Sequence, residues 1–202
     1  MKIAFCIRGL HEEYKKSCEN IKTMLIDDLR SSGNTVDVFF NTYETSLCSD
    51  LIDFYKPVHV EYKKPRQGPA MWVIVSKQIG ECCDIIKQYS IANGVTYDYI
   101  IITRFDLTFN NKYNLYDIKY NKINMECMFV PDFCSGDNFL LFDTKFSDLV
   151  KKSTLECDKA KDHSHKLWKY FERNGLMCHY IGGETTKRHP IYDVMFRFTR
   201  HI

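Results

Sequence analysis

Hydrophobic and polar positions along the chain switch repeatedly between two periods. Residues 2–7, β-branched and aromatic in character around the apolar run 3–7, predict a short buried strand that Arg8 and Gly9 end. Over 12–30 the spacing of Met24, Leu25 and Leu29 is helical, and Ser32-Gly33-Asn34 supplies the Gly and Asn expected just past a helix C-terminus. A strand is predicted over 36–40, a short helix over 50–55 and a strand over 58–62, followed by the polar loop 63–69. The period is helical again over 70–92, with Met71, Val75, Ile79, Cys82 and Ile86 on one face and Asn93-Gly94 as the stop. Further strands are predicted over 97–103, 125–130 and 138–142, the last two joined by PDFCSGD. Helices over 145–152 and 164–174, a strand over 177–181 and a basic tail complete the pattern.

Strands alternating with helices of this length predict an α/β fold, a mainly parallel sheet with helices on both faces. At 202 residues one domain suffices, with a core over 1–181 and a basic tail over 182–202. A chain of this size buries about 70% of the surface its unfolded form exposes.

Composition narrows the classes. The residues are 45% hydrophobic and 27% charged, with 28 Lys and Arg against 26 Asp and Glu; a net charge of +2 gives no reason to expect a nucleic-acid partner. The five-residue apolar run before Arg8 is too short for an export signal and far below the ~18 residues of a membrane span. A cytoplasmic chain with no membrane span is expected. The nine cysteines are odd in number, and Cys6, Cys82, Cys127 and Cys178 lie in apolar segments, so they read as reduced core thiols. No C-x-x-C spacing occurs, which argues against structural zinc. Of the vicinal Cys82 and Cys83, one is expected to face inward and the other outward.

In open α/β sheets, ligands bind beyond the carboxyl ends of the strands. The polar residues at those predicted ends are Arg8, Asn41, Arg104, Asp106, Asp132 and Asp137. The first strand runs into Arg8-Gly9-Leu10-His11 rather than G-x-G-x-x-G, and neither a P-loop nor a G-x-S-x-G elbow occurs. What remains is acidic residues after strands with basic residues nearby. An Asp just beyond a buried strand offers a hard oxygen ligand to Mg²⁺ or Mn²⁺, which would act as a Lewis acid on a phosphate. Arg104 and Asp106, two apart on an extended segment, share one face, so a structural ion pair is the alternative. Asp137 either faces the cleft or bonds its own turn; Asp132 is the rival in the same loop. Arg8 suits a phosphate or a base, and Gly9 allows close backbone approach or simply turns the chain. Lys77 could reach a phosphate, Trp72 reads as core, and Lys64, Arg66 and Gln67 as a solvated loop. His163 and His165 read as surface. Lys187-Arg188-His189 reads either as a phosphate-closing loop or as an exposed tail.

The order KIAFCIRG, a helix, VDVFFNTYE, a helix carrying Met71-Trp72, YDYIIITRFDLTF, a strand ending VPDFCSGDNFLLF, and a helix before RNGLMCHYI resembles a family of polysaccharide-building glycosyltransferases of bacteria and large viruses. The resemblance runs to about Ile181 and lies in the order and spacing of short motifs. It implies the A-type glycosyltransferase (GT-A) fold, in which a D-x-D motif after a central strand holds a divalent metal on the donor diphosphate. Asp106 falls on the second carboxylate of that motif and Arg104 stands in place of the first. Arg104 and Asp106 then face the donor, and Arg8, Gly9 and Lys77, on the residue chemistry above, are its further expected contacts. Mn²⁺ or Mg²⁺ sits on Asp106, with His179 or His189 as a late further ligand. Asp137 or Asp132 is the base in an inverting reaction. The expected activity is transfer of a sugar from a UDP- or GDP-linked donor to a glycan acceptor hydroxyl. Two alternatives stand beside it. One is a sugar nucleotidyltransferase, for which Arg8-Gly9-Leu10 is a poor Gly-rich loop; the other is a non-catalytic binding domain, which the Arg at 104 favours.

Overall fold

The computed structural model describes residues 1–11, 14–63, 71–109, 118–129, 133–185 and 196–198. Asp132, His189, the loop residues Lys64, Arg66 and Gln67, and the basic run of the tail lie outside them, as does the side chain of Trp72.

Among the described residues twelve strands follow one another: β1 (Lys2–Gly9), β2 (Thr35–Tyr43), β3 (His59–Lys63), β4 (Tyr99–Arg104), β5 (Leu107–Phe109), β6 (Ile123–Met125), β7 (Met128–Phe129), β8 (Cys134–Ser135), β9 (Leu140–Asp143), β10 (Cys178–Tyr180), β11 (Glu184–Thr185) and β12 (Phe196–Phe198). The helices are α1 (Cys18–Ile21), α2 (Asp27–Ser31), α3 (Cys48–Tyr55), α4 (Met71–Asn93), α5 (Ser147–Lys159) and α6 (Leu167–Arg173). Seven strands build the main sheet in the order β10-β6-β9-β4-β1-β2-β3. The pairs β1–β2, β1–β4, β2–β3 and β6–β10 are parallel, and β9 alone runs against its neighbours β4 and β6. The α/β class and the mainly parallel sheet with helices on both faces are therefore as the hydrophobic pattern predicts.

The layers follow from strand alternation. Ile3, Phe5 and Ile7 of β1 pack with Ile21, Leu25, Leu29 and Leu51 on the face covered by the first three helices. Ala4 and Cys6 of the same strand pack with Ile79, Cys82, Ile86, Val150 and Phe171 on the face covered by α4, α5 and α6. Fully burying a residue such as Phe5 or Phe40 contributes about 1.5–3 kcal/mol. Two small sheets, β11-β7-β8 and β12-β5, flank the main one. Among the described residues no helix is long and apolar enough to cross a membrane.

Several expectations are corrected. The helix read over 12–30 is broken into a short 3₁₀ turn at Tyr14–Lys16, α1, a π turn at Lys22–Ile26 and α2. The Asp27 N–H reaches back to the Lys22 carbonyl, and the Thr23 hydroxyl donates to the Glu19 carbonyl at 2.7 Å, a bond that bends helices. The strand read over 125–130 is two strands in two sheets, parted by Glu126 and Cys127. Cys82 and Cys83 are both buried: Cys82 lies against the sheet, where it accepts from Asn41, and Cys83 bonds to Ser147 at the start of α5. A helix packed on two sides has two inward faces. All nine cysteines are reduced thiols.

Candidate functional site

The parallel strands end on one edge, and their register fixes what meets there. Arg8 lies beside Asn41 on one side and Arg104 on the other. All three share the parity of Cys6, Phe39 and Ile102, so they point toward the layer of α4, where Asn41 Nδ2 donates to the Gln78 carbonyl at 3.2 Å. β2 and β3 extend the sheet to one side of β1, and α4 returns the chain to β4 on the other. Strand order thus reverses at β1, and open α/β sheets hold ligands at such a point.

Gly9 closes β1 at φ +95°, a conformation that L side chains rarely adopt. The turn is fixed from beneath by the buried His11: its Nδ1 lies 2.7 Å from Thr42 Oγ1 and its Nε2 2.6 Å from Thr45 Oγ1. Thr42 donates to the Gly9 carbonyl and Thr45 accepts from the Leu47 N–H. These bonds assign the proton to Nδ1.

Beyond β4 the chain turns, and Arg104 grips Asp106 with two parallel bonds, Nε to Oδ1 at 2.8 Å and Nη2 to Oδ2 at 2.6 Å. Arg104 Nη1 also donates to Asn138 Oδ1 at 3.2 Å, and Asn138 Nδ2 donates to Glu126 Oε1 at 3.0 Å. Arg8, 2% exposed, donates from Nη2 to the Asp137 carbonyl at 2.5 Å. The Asp137 carboxylate meets the Ser164 hydroxyl and His165, whose Nε2 is 3.7 Å from Oδ1. Gly136 permits this crossing, because a Cβ there would overlap the Glu126 carboxyl.

The charges interlock. Burial lowers the Arg8 pKa and the neighbouring Arg104 adds to this, while Asp137 works against it. Burial also opposes the charge on Arg104, but the bonds to Asp106 outweigh it and raise its pKa. For Asp137, burial would favour the neutral acid, yet His165, Arg8, Ser164 and Arg104 together hold the carboxyl below its usual range. Glu126 goes the other way: burial and the Asp137 charge push it up to about 8, so it keeps its proton at neutral pH. Glu126 Oε2 and Arg8 Nε are buried without a hydrogen-bond partner among the described residues.

Arg8, Gly9, Arg104, Asp106 and Asp137 thus share one edge. Lys77 lies on α4 and pairs with Glu81 at 3.9 Å. His179 is on the edge strand β10, three strands from β4, level with Ile101 through Asn124 and Leu141. It is not brought to Asp106. Both oxygens of Asp106 accept from Arg104, so a divalent cation there would have to share them with a guanidinium charge seated directly against it. Among the described residues no group of three His, Cys, Asp or Glu is placed to hold an ion. These residues do not fit a metal site built on Asp106.

Glu126, Asn138 and His165 escaped the sequence reading. Glu126 is a lone acid in the apolar run INMECMFV, which was a usable signal. A depression of about 530 Å³ lies at the opposite edge, lined by Met1, Tyr97, Asp98, Tyr99, Asp143 and Lys145. Lys145 pairs there with Asp143 at 2.8 Å, on the surface. The buried, perturbed groups converge on the other edge, and that is where we place the candidate site.

No protein-family model matches the chain, and no curated protein matches it.

Proposed function

We propose that the chain is a glycosyltransferase of GT-A type that moves a sugar from a nucleoside diphosphate sugar, UDP- or GDP-linked, to a glycan hydroxyl. The observation that carries this reading is the pair Arg8 and Arg104, two guanidinium groups in register on adjacent strands at the switch point. Like charges on adjacent strands, about 4.8 Å apart, destabilise a sheet. The arrangement suits a ligand with two negative centres, and Arg8 Nε adds a buried donor without a partner among the described residues. A diphosphate leaving group has that chemistry, and fixed guanidinium charge stabilises it as the bond to the anomeric carbon breaks. The motif order KIAFCIRG, VDVFFNTYE, YDYIIITRFDLTF and VPDFCSGDNFLLF supports the same family.

The residues described carry this chemistry without a metal-borne step. Arg104 takes the place where a D-x-D motif has its first carboxylate, and its charge does part of what a cation would do there. The grip of Arg104 on Asp106 also favours a second reading, a non-catalytic glycan-binding domain in which the ion network is structural.

Calorimetry with UDP and GDP, and release of nucleotide from a panel of UDP- and GDP-sugars, separate the readings. We expect binding of one nucleotide, slow turnover of its sugar, and at least a tenfold loss of turnover in Arg104→Lys, which keeps the charge but not the fork. Absence of both binding and turnover in the wild type would overturn the transferase reading.

A further inference from the structure

We propose that His165 takes the proton of the attacking hydroxyl and that Asp137 is its positioning residue, an inference that rests on the transferase reading above. Each carboxylate at the site is engaged elsewhere. Asp106 is bound by both oxygens to Arg104. Glu126 is 3% exposed and bonded to Asn138. Asp137 is 4% exposed, its charge held by Ser164 and His165, and a carboxylate so stabilised is a weak base.

His165 differs in position. Its side chain is 45% exposed, with Nε2 turned toward Asp137 Oδ1 at 3.7 Å. Its Nδ1 has no hydrogen-bond partner among the described residues, and the side chain is exposed enough for an acceptor to reach it. The backbone around the ring is pinned: the His165 N–H donates to His163 Nδ1 at 3.2 Å, and the His165 carbonyl accepts from Ser135 Oγ at 3.3 Å. The charged and titratable groups around it are Asp137 from the segment before β9, and His163 and Lys166 from its own turn. The His163 ring lies 4.3 Å away, tilted by 52°, and burial together with His165 lowers its pKa, which favours its neutral form. At 3.7 Å the Asp137 carboxylate acts on the ring through its charge rather than through a hydrogen bond; it favours the proton on the near nitrogen, Nε2, and leaves Nδ1 as the base.

In the step, the acceptor O–H gives its proton to His165 Nδ1, and its oxygen pair forms the bond to the anomeric carbon. The bond from that carbon to the diphosphate oxygen breaks, and its electron pair leaves with the diphosphate. Attack and departure lie on opposite faces, so the configuration inverts.

The test uses the full chain with water as acceptor and the nucleotide sugar the wild type hydrolyses best. We expect His165→Gln and His165→Ala to lose about 100-fold or more in hydrolysis, with UDP or GDP affinity unchanged within about twofold. The fall in wild-type rate toward acid pH should vanish in His165→Gln. Added imidazole should restore turnover in His165→Ala but not in Asp137→Asn, which a structural role for His165 would not produce. The released sugar should be inverted by NMR. A His165→Gln rate within twofold of wild type, or retained configuration, overturns the assignment while leaving the transferase reading intact. If Asp137→Asn is dead while His165→Gln is active, Asp137 is the base. A wild type that neither binds nor turns over any donor overturns both.

Discussion

Glu126 makes the electrostatics of this edge measurable without any ligand. Burial, reinforced by the Asp137 charge, pushes its carboxyl from 4.5 up to about 8. The folded state therefore holds a proton that the unfolded chain releases above pH 4.5, and stability falls as pH rises from that value toward 8. At 1.36 kcal/mol per unit, the loss at pH 7 is on the order of 3 kcal/mol relative to pH 4. Glu126→Gln replaces the protonated acid with a neutral group of the same shape whose oxygen still accepts from Asn138 Nδ2. Urea denaturation of both proteins across pH 4 to 9 should give equal stability near pH 4. The variant should gain steadily to roughly 3 kcal/mol at pH 7 and level off above pH 8. The difference between the two curves isolates this one group, since the other titrating residues are common to both. Parallel curves would refute the reasoning, because they would mean that Glu126 is ionised in the folded protein at neutral pH.

Two stability predictions follow from other features. Arg104→Ala leaves the 3% exposed Asp106 side chain charged and without its forked partner, and should cost about 3 kcal/mol in urea melts, whereas Arg104→Met with Asp106→Leu should recover most of that; a single-variant loss below about 1 kcal/mol would show the pair to be well solvated. Lys56 closes α3 at φ 49°, and its ion pair with Asp53 is 72% and 79% exposed, so Lys56→Gly should gain about 1 kcal/mol and raise Tm by about 2–4 °C; an unchanged or lower Tm would sink this.

The layers of this fold were legible because they depend on local pattern. Apolar runs such as 3–7 and 99–102 belong to strands covered on both faces, and the 23-residue α4 carries its own period and stop signal. Arg8, Arg104 and Asp106 were legible as a set for a related reason: parallel strands deliver their ends to one edge, and Asp137 joins them because the antiparallel β9 begins there. What joins them was not legible. Asn138 reads as the first residue of a strand, yet its amide bridges Arg104 and Glu126, a link set by the antiparallel register of β9 against β4. His165 reads as a surface residue near a helix start, and only tertiary packing brings it to Asp137. Glu126 reads as an intrusion in an apolar strand; its burial divides that strand, and no pattern of period two encodes the division.

The vicinal thiols of α4 carry one further consequence. Cys82 lies against the sheet beneath Asn41, and Cys83 lies against α5. Alkylation requires a thiolate in contact with reagent, so each sulfur reacts only when its own contact parts. The two adjacent residues therefore time two different separations, helix from sheet and helix from helix. A mass spectrum of one peptide would record whether those layers come apart together or in sequence.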